Sequence, residues 1–369
     1  MKKIKSSRLA NILFISISLS LIISGFAFAS EKKPILTPEE ILKDAGENPT
    51  PEMIIELFDN VTIDDAAHRP VKDSSRQALI NLGTKALPTL VKDYLASEAL
   101  YHRLEIDNII NGIGNPAIPY LIPFLVNESW YARQHAAYLI GANTAISKQE
   151  DLYKIGPVAE DIDALNALES ALRKETDWQV IRSLVGAIGA IRDPSKTELI
   201  ASYLNDKEQA VRITAATALG KIPHKDSLNA LLRAFDDPLT TIRQTAILQF
   251  ATPTNGDIAF DMLINAAKAR QASLRSRLCA LESLARYLDS TAVLETPQII
   301  EQRKKAAAMA TEILSDKTES DWIVRGYAVK IIGNSKQKDL LPFLEKLSES
   351  EIHPYVKGRI EIAMMKIGE

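Results

Sequence analysis

Apolar residues recur along this chain every three to four positions, most clearly in "AVRITAATALGKIPHKDSLNALLRAFDDP" (210–238). Counted from Arg212, the residues at offsets −1, +3, +6, +7 and +10 are all apolar. A stripe with this period lies on one face of an α-helix, whereas a half-buried strand alternates every second residue. The segment therefore predicts an amphipathic helix, and the residues after it predict a polar turn.

The same register recurs along the chain, which indicates an internal repeat. The residues at the reference position are Lys72, Arg103, Arg133, Ile181, Arg212, Arg243, Arg277, Arg325 and Lys357. All but Ile181 are basic, and Arg182 stands beside that exception. The spacings are 31, 30, 48, 31, 31, 34, 48 and 32 residues, so each long interval equals one repeat plus about seventeen residues. We interpret the two long intervals as insertions, near 142–160 and 286–300.

A second, shorter apolar pattern separates these helices, as in "KALPTLVKDYL", "NPAIPYLIPFL" and "DLLPFLEKL". Proline recurs near its start, where a helix needs no N–H. Each repeat therefore predicts a hairpin, with a helix A, a polar turn and a helix B. One hairpin cannot bury its own apolar face, so about nine of them must stack. The predicted fold is an all-α solenoid, for which we expect a right-handed superhelix.

The residues before the array have helix starts of their own. Thr37 and Glu40 in "TPEE" fit a capping box, so segment 30–70 is predicted to be a helical cap on the array of residues 71–369. Within the array, Asn115 and Thr296 each precede a proline and are predicted to be N-caps.

The pattern "VRITAATALGKI" after an Asp-bearing turn resembles HEAT repeats, and in particular their short bacterial form of the phycobilisome-lyase type. The phrases "IGNPAIPYLIPFL" and "IRDPSKTELIASYL" are similar to the start of helix A in that form, and the resemblance covers residues 70–369. It implies a ladder in which an Asp of the turn pairs with an Arg of helix B. Asp206 with Arg212 and Asp237 with Arg243 have the required six-residue spacing. The basic column is then a structural ladder; the alternative is an anion-binding stripe.

The tryptophans form a column of their own, three residues before the reference position. They are Trp130, Trp178 and Trp322, and each follows a candidate N-cap in the first turn of a helix B. A large ring here could close the hairpin or cover an arginine side chain. It could equally anchor a partner, because Trp is enriched at interface hot spots.

Other candidate partner contacts lie on the polar face of helix B or in the first insertion. Tyr138, Tyr327 and His135 stand at offsets that point away from the apolar stripe, and Tyr153 lies in the insertion. Cys279 is in the same polar column, where it is either a small buried residue or an accessible thiol.

The N-terminus predicts export. The basic "MKKIKSSR" precedes an apolar core and Ala27-Phe28-Ala29, the pattern of a signal peptide (1–29) cleaved after Ala29. Retention as a membrane anchor is the alternative. Removing this segment lowers the net charge from −3 to −7, which argues against nucleic acid as a partner. We expect a periplasmic or secreted protein without a membrane span after cleavage.

Signatures of catalysis are missing from the sequence. The five histidines share neither an offset nor a metal-ligand spacing, and no P-loop or G-x-S-x-G motif occurs, so we expect neither metal nor cofactor. The sequence favours an exported, non-catalytic scaffold for a protein or peptide partner. The alternatives are a ligand- or chromophore-handling enzyme of the HEAT-like lyase kind and a structural subunit of an envelope complex.

Overall fold

The computed structural model describes residues 35–368 apart from 46–47, 64–65 and 148–158. Nineteen α-helices and short 3-10 helices make up the secondary structure of these residues, and they contain no strand, which confirms the all-α prediction. The predicted signal peptide and Tyr153 lie outside the described residues. The chain divides into two compact units between Ser75 and Arg76.

The first unit is built on helices α1 (Pro38–Leu42) and α2 (Pro51–Thr62). The predicted capping box is present at α1. Thr37 donates its backbone N–H to Glu40 Oε2 (2.7 Å), and Glu40 donates its own to Thr37 Oγ1 (3.3 Å). The buried side chain of Asn60 in α2 donates to the carbonyl of Leu36 (2.9 Å). These contacts hold the residues before α1 against α2.

Nine helices carry the reference residues and are the predicted helices B. They are α3 (Arg69–Leu82), α5 (Leu100–Ile113), α7 (Trp130–Ser147), α9 (Trp178–Ile191), α11 (Gln209–Gly220), α13 (Thr240–Phe250), α15 (Leu274–Ser290), α17 (Trp322–Ser335) and α19 (Pro354–Gly368). From α5 to α19 each helix B packs beside the next. The second unit is therefore an α-solenoid, with the helices B forming one of its two layers.

The other layer consists of the helices A. They are α4 (Leu87–Tyr94), α6 (Ile118–Leu121), α8 (Ala159–Leu172), α10 (Thr197–Ser202), α12 (Lys225–Leu231), α14 (Pro253–Lys268), α16 (Pro297–Ser315) and α18 (Leu341–Ser350). Several are short because the segment continues as 3-10 helix. Ile118–Leu121, for example, is followed by the 3-10 helix Ile122–Val126, which has a proline in its first turn. Within the described residues no single helix could span a membrane by length and composition; only one pair, bent by 112°, passes both criteria together.

The predicted apolar stripe is the core of the array. In α11, Val211, Ala215 and Leu219 are fully buried, and all three counterparts are also buried in α7, α9, α13 and α17. Thr296 caps α16 as predicted, because its side chain accepts the N–H of Ile299. The prediction for Asn115 was wrong: this residue lies inside a 3-10 helix whose cap position is Gly114.

The insertions extend existing helices. Around the first, α7 continues to Ser147 and α8 begins at Ala159. The second lies between α15 and α16, and α16 is a helix A of 19 residues. Arg303 of α16 closes the intervening loop, since its buried guanidinium donates to the carbonyls of Thr291 (2.9 Å) and Leu294 (3.0 Å).

Neighbouring helices B approach closely at glycine. An added Cβ on Gly141, Gly189 or Gly333 would lie 2.7, 2.8 or 2.9 Å from the Cα of an alanine on the next helix B. The alanines are Ala187, Ala218 and Ala363. Each glycine stands at offset +8 and each alanine at offset +6 of the following repeat, so the two smallest residues meet where the backbones are closest.

Gly189→Ala is expected to destabilise the protein by about 1–3 kcal/mol, because its methyl group needs a backbone shift in α9 or α11. Gly186→Ala in the same helix is the matched control, since its Cβ would meet only Thr214 Cγ2 at 3.4 Å. Alanine favours a helix over glycine by up to about 1 kcal/mol, so the control should be neutral or stabilised. Urea unfolding measures both; equal stability of the two variants would contradict the close approach.

Candidate functional site

The basic column contains a ladder that joins four of the repeats to the repeat that follows. An arginine of helix B pairs with a carboxylate in the turn that precedes the following helix B. Among the described residues the pairs are Arg133–Glu175 (2.7 Å), Arg212–Asp237 (2.7 Å), Arg277–Glu319 (2.7 Å) and Arg325–Glu351 (2.6 Å). All four carboxylate side chains are only 6–7% exposed, so each pair lies at a largely buried junction.

Arginines of the basic column also bind the turn that precedes their own helix B. Arg212 Nη1 donates to the carbonyls of Asp206 (2.8 Å) and Lys207 (3.2 Å), and Arg243 Nη1 donates to that of Asp237 (2.8 Å). The prediction that the Asp side chain pairs with the Arg of the same repeat was therefore wrong. At the six-residue spacing the arginine binds the carbonyl oxygen, while the side chain of Asp237 binds Arg212 of the preceding repeat. The carboxylate of Asp206 accepts the N–H of Glu208 (2.8 Å).

The ladder carboxylates shape the turns as well. Glu175 Oε1 accepts the N–H groups of Thr176 and Asp177 (both 3.0 Å), and Glu351 Oε1 accepts those of Ile352 and His353 (both 2.9 Å). Burial alone would raise the pKa of Glu351, but the N–H of His353 and the guanidinium of Arg325 outweigh it, so the pKa is lowered. The pKa of Glu175 is lowered for the same reasons, with Arg133 as the cation.

The ladder is incomplete where the sequence lacks one partner. Asn127 and Gln271 occupy the carboxylate position opposite Arg103 and Arg243. Arg103 instead lies over the ring of Tyr131, 5.4 Å from its centroid, and donates to its hydroxyl (3.3 Å).

Three further members of the predicted column stand outside the four pairs given above. Arg182 lies 5.8 Å from the centroid of Trp178. Lys72 is half-buried in the first unit, and Lys357 lies in the last helix, α19.

The tryptophan column lies along the N-terminal ends of helices B. Trp130, Trp178 and Trp322 are the first residues of α7, α9 and α17, and their side chains are 41%, 37% and 42% exposed. Asp177 and Asp321 cap their helices, as predicted from their position.

One side of each ring is in contact with the protein. Trp130 meets Tyr131 edge to face, with centroids 5.6 Å apart. Trp322 stacks on His353 at 4.7 Å with an interplanar angle of 8°, and Tyr355 meets it edge-on at 5.1 Å. Trp178 has Arg182 beside its ring. Each of the three tryptophans therefore contacts a neighbouring side chain and is also partly exposed to solvent.

The other predicted partner contacts divide between surface and interior. Tyr138 is 50% exposed on α7 and remains available. His135 is buried, with Nδ1 2.9 Å from the carbonyl of Leu95 and Nε2 2.6 Å from Asp107 Oδ1. The prediction that His135 contacts a partner was wrong, because this ring ties α7 to helix α5 and to Leu95 at the end of helix α4.

A groove of about 470 Å³ crosses three successive helices B, α13, α15 and α17. Its lining includes Thr240, Arg243, Gln244, Ile247, Leu274, Arg275, Leu278, Cys279, Glu282, Ile323 and Tyr327. Glu282 joins α15 to α17, since it accepts from the hydroxyl of Tyr327 (2.9 Å), and it also accepts from Arg286 Nε on its own helix (2.9 Å). Burial and the Glu282 carboxylate both raise the pKa of Tyr327, which therefore stays protonated as a donor.

Cys279 lies in the wall of this groove as a small buried residue. Its side chain is close to the carbonyl of Phe235, 3.9 Å away, and burial raises the pKa of the thiol to about 11. The thiol is thus protonated near neutral pH and is a poor nucleophile. In the part of the chain that the structure describes, no three His, Cys, Asp or Glu side chains are placed to hold a metal ion.

The site residues that sequence reasoning missed are those at offsets −2 and +1 of the groove helices. Arg275 and Leu278 lie there because three helices B place their N-terminal halves around one depression. Their only signal in the sequence is their position outside the apolar stripe, which they share with many solvated residues.

Comparisons with known proteins support the architecture. Residues 165–251 match the family model described as HEAT repeats. A crystal structure of importin beta aligns with a TM-score of 0.50 and 11% identity, over 89% of this chain and 48% of importin beta, which shows a shared fold only. No curated protein matches the sequence.

Two other solved structures are similar at lower scores. YibA of E. coli aligns with a TM-score of 0.42 and 16% identity, over 79% of this chain and 95% of YibA. The complex of CpcE and CpcF of phycocyanin lyase from Nostoc sp. PCC7120 aligns with a TM-score of 0.31 and 20% identity, over 77% of this chain and 98% of that one.

The ladder predicts acid-sensitive stability. Glu351→Gln removes the charge that Arg325 binds, and we expect a loss of about 1.5–3 kcal/mol at neutral pH, the value of a hydrogen bond to a charged group. The pKa of Glu351 is lowered in the folded state, so its contribution is complete above the unfolded pKa of about 4.3 and is lost as the pH falls through the folded value. The gap between wild type and variant should therefore close in acid.

Thermal unfolding of wild type and Glu351→Gln between neutral and acidic pH measures this gap. Glu349→Gln is the control, because Glu349 is an exposed residue of the same region. A gap that persists unchanged in acid would show that the ion pair does not stabilise the array.

Proposed function

We propose that this chain, a HEAT-repeat protein, is an exported scaffold that binds a protein or peptide partner and has no catalytic activity of its own. The observation that carries the proposal is the row of tryptophans, each held on one side and more than one third exposed on the other. The groove across α13, α15 and α17 adds a second surface, and it shares helix α17 with Trp322.

A purely structural ring would be expected to lie buried in the hairpin. These rings instead keep 37–42% of their surface in water, although each has an aromatic or arginine neighbour that fixes its orientation. A pre-oriented aromatic side chain loses little conformational entropy on binding, which is why such groups serve as anchors. The ladder supports this role at Trp178 and Trp322, because Glu175 and Glu319 are ladder carboxylates in the turns that precede these two tryptophans.

The chemistry of the groove supports binding over catalysis. The enzyme alternative would need an activated group, but the pKa of Cys279 is raised to about 11 and that of Tyr327 is raised as well. His135 and Tyr138 lie on α7, three helices B before the first helix of the groove, and neither lines it. A thiol and a phenol that stay protonated suit a binding surface.

Export is supported by the N-terminal pattern and by cysteine usage. A basic segment, an apolar core and Ala27-Phe28-Ala29 stand in signal-peptide order. The lone cysteine is buried, so it is shielded from oxidation outside the cytoplasm.

We expect the mature protein to begin at Ser30 and to be recovered from the periplasm or the medium. N-terminal sequencing after cell fractionation measures this, and Ala29→Leu should block cleavage because the processing site needs a small residue. Wild-type protein that keeps residues 1–29 and sediments with membranes would establish the anchor alternative.

Simultaneous substitution of Trp130, Trp178 and Trp322 by Ala is expected to abolish partner capture while the array stays folded. A hot-spot residue contributes about 2 kcal/mol or more, so losing even one should weaken binding roughly 30-fold. The measurement is a crosslinking pull-down from the envelope fraction, with thermal unfolding to confirm the fold.

The control carries Ile162→Ala, Ile258→Ala and Val293→Ala, which remove exposed apolar side chains outside the helices B. It should capture the same partners as wild type. Unchanged capture by the folded tryptophan variant would overturn the proposed anchors, and a partner held at fixed stoichiometry through the control positions would favour a structural subunit.

A further inference from the structure

We infer that the last four helices B, α13, α15, α17 and α19, bind an acidic, leucine-bearing segment of the partner in extended form. The surface that they use, called the inner face below, consists of the groove across α13, α15 and α17 and the cleft between α17 and α19. The inference rests on the proposed scaffold function and deepens it by naming the partner's chemistry. Its basis is an excess of unpaired positive charge beside exposed apolar side chains, on a chain that is negative overall.

The first observation is that Arg243 has no ladder carboxylate among the described residues. Arg243 donates to two carbonyls of its own turn and to Thr240 Oγ1 (2.7 Å), and no carboxylate of the described residues pairs with it. Gln271 stands where other repeats place Asp or Glu. An arginine in this geometry has donors left for a carboxylate supplied from outside.

A second arginine lines the same groove from the next helix B, α15. Arg275 is exposed, and its Nη1 donates to the carbonyl of Asp236 (3.2 Å). Leu274, 46% exposed, and the half-buried Leu278 and Ile323 lie in the same lining. The groove therefore offers cationic walls around an apolar strip.

The positive surface continues on α17 and α19. Lys330 and Arg359 line a small cleft of about 80 Å³ between these helices, together with Lys366. Burial lowers the pKa of Lys330, and although Asp289 opposes this shift, Arg359, Arg286 and Lys366 reinforce it. A carboxylate placed here would relieve the mutual repulsion of these cations. Ile362, 45% exposed, continues the apolar strip.

The charges of this face are unequal. Its cations are Arg243, Arg275, Arg286, Lys330, Arg359 and Lys366. Its carboxylates are Glu282, which pairs with Arg286, Asp289, which pairs with Lys366 at 3.1 Å, and the exposed Asp236 beside Arg275, so the cations outnumber them. Since the whole chain has a net charge of −3, this concentration of positive charge marks the surface for an acidic partner.

The spacing of the helices selects an extended segment. Packed helices lie about 8–10 Å apart, and an extended chain advances about 3.3 Å per residue, so a peptide crossing the helices B presents about one side chain in three to each repeat. Acidic residues at every third position could then meet successive cations, with leucine on the apolar strip between them.

The test uses a labelled peptide of repeating Glu-Leu-Ser, with Gln-Leu-Ser and Lys-Leu-Ser peptides as controls, in fluorescence anisotropy with the full mature chain. We expect binding of the glutamate peptide only, weakening as salt is raised. Arg275→Glu combined with Lys330→Glu should lower the affinity about tenfold or more, because attraction becomes repulsion. Arg275→Glu alone, at an exposed position, should show part of the loss without risk to the fold.

The matched control is Lys304→Glu with Lys346→Glu, which changes the net charge equally at exposed positions of α16 and α18. Equal binding of the glutamate and glutamine peptides, equal losses in both double variants, or tighter binding of single-stranded DNA than of the glutamate peptide would each overturn the inference. If the inner-face variants still capture a partner through the tryptophans, the acidic segment is excluded and the scaffold stands. If the tryptophan variant also captures everything, the scaffold proposal fails as well.

Discussion

The packing of each helix B against the next is the interaction on which the rest of the array depends. A helical hairpin of this size cannot bury its apolar stripe alone, so its stability comes from neighbours. Glycine at offset +8 and alanine at offset +6 let the backbones of neighbouring helices B approach closely. This occurs between α7 and α9, between α9 and α11, and between α17 and α19. Leucine, isoleucine and valine then fill the space on either side of that contact.

The arginine ladder follows from the same stacking. It brings the turn of one repeat beside helix B of the previous one, so a guanidinium can bind the carbonyls of its own turn and the carboxylate of the next. A buried carboxylate would be costly without these partners. Because the carboxylates also accept backbone N–H groups, the ladder fixes the turns in which they lie, and with them the direction of Trp178 and Trp322 in the helices that follow.

The main groove lies where this regularity is interrupted. The interval between Arg243 and Arg277 is 34 residues, Gln271 replaces the ladder acid, and the groove crosses the helices on both sides of that junction. The inner face from there to the C-terminus carries most of its positive charge without carboxylate partners. Architecture and proposed function are thus connected. The regular repeats provide rigidity, and the departure from the repeat at Gln271 leaves Arg243 without a ladder carboxylate among the described residues.

The sequence by itself determined the fold class, the places of the nine helices B, the buried stripe and the caps at Thr37, Asp177, Thr296 and Asp321. These depend on local periodicity and on contacts within a few residues. Only the tertiary structure decided which partners meet across repeats. Arg212 binds the side chain of Asp237, 25 residues away, and not that of Asp206. His135 is buried although its offset predicted exposure, and Cys279 is buried beside a groove that no local pattern indicates. Such features depend on how neighbouring helices rotate and approach, and a period read along one helix fixes only the face that it buries.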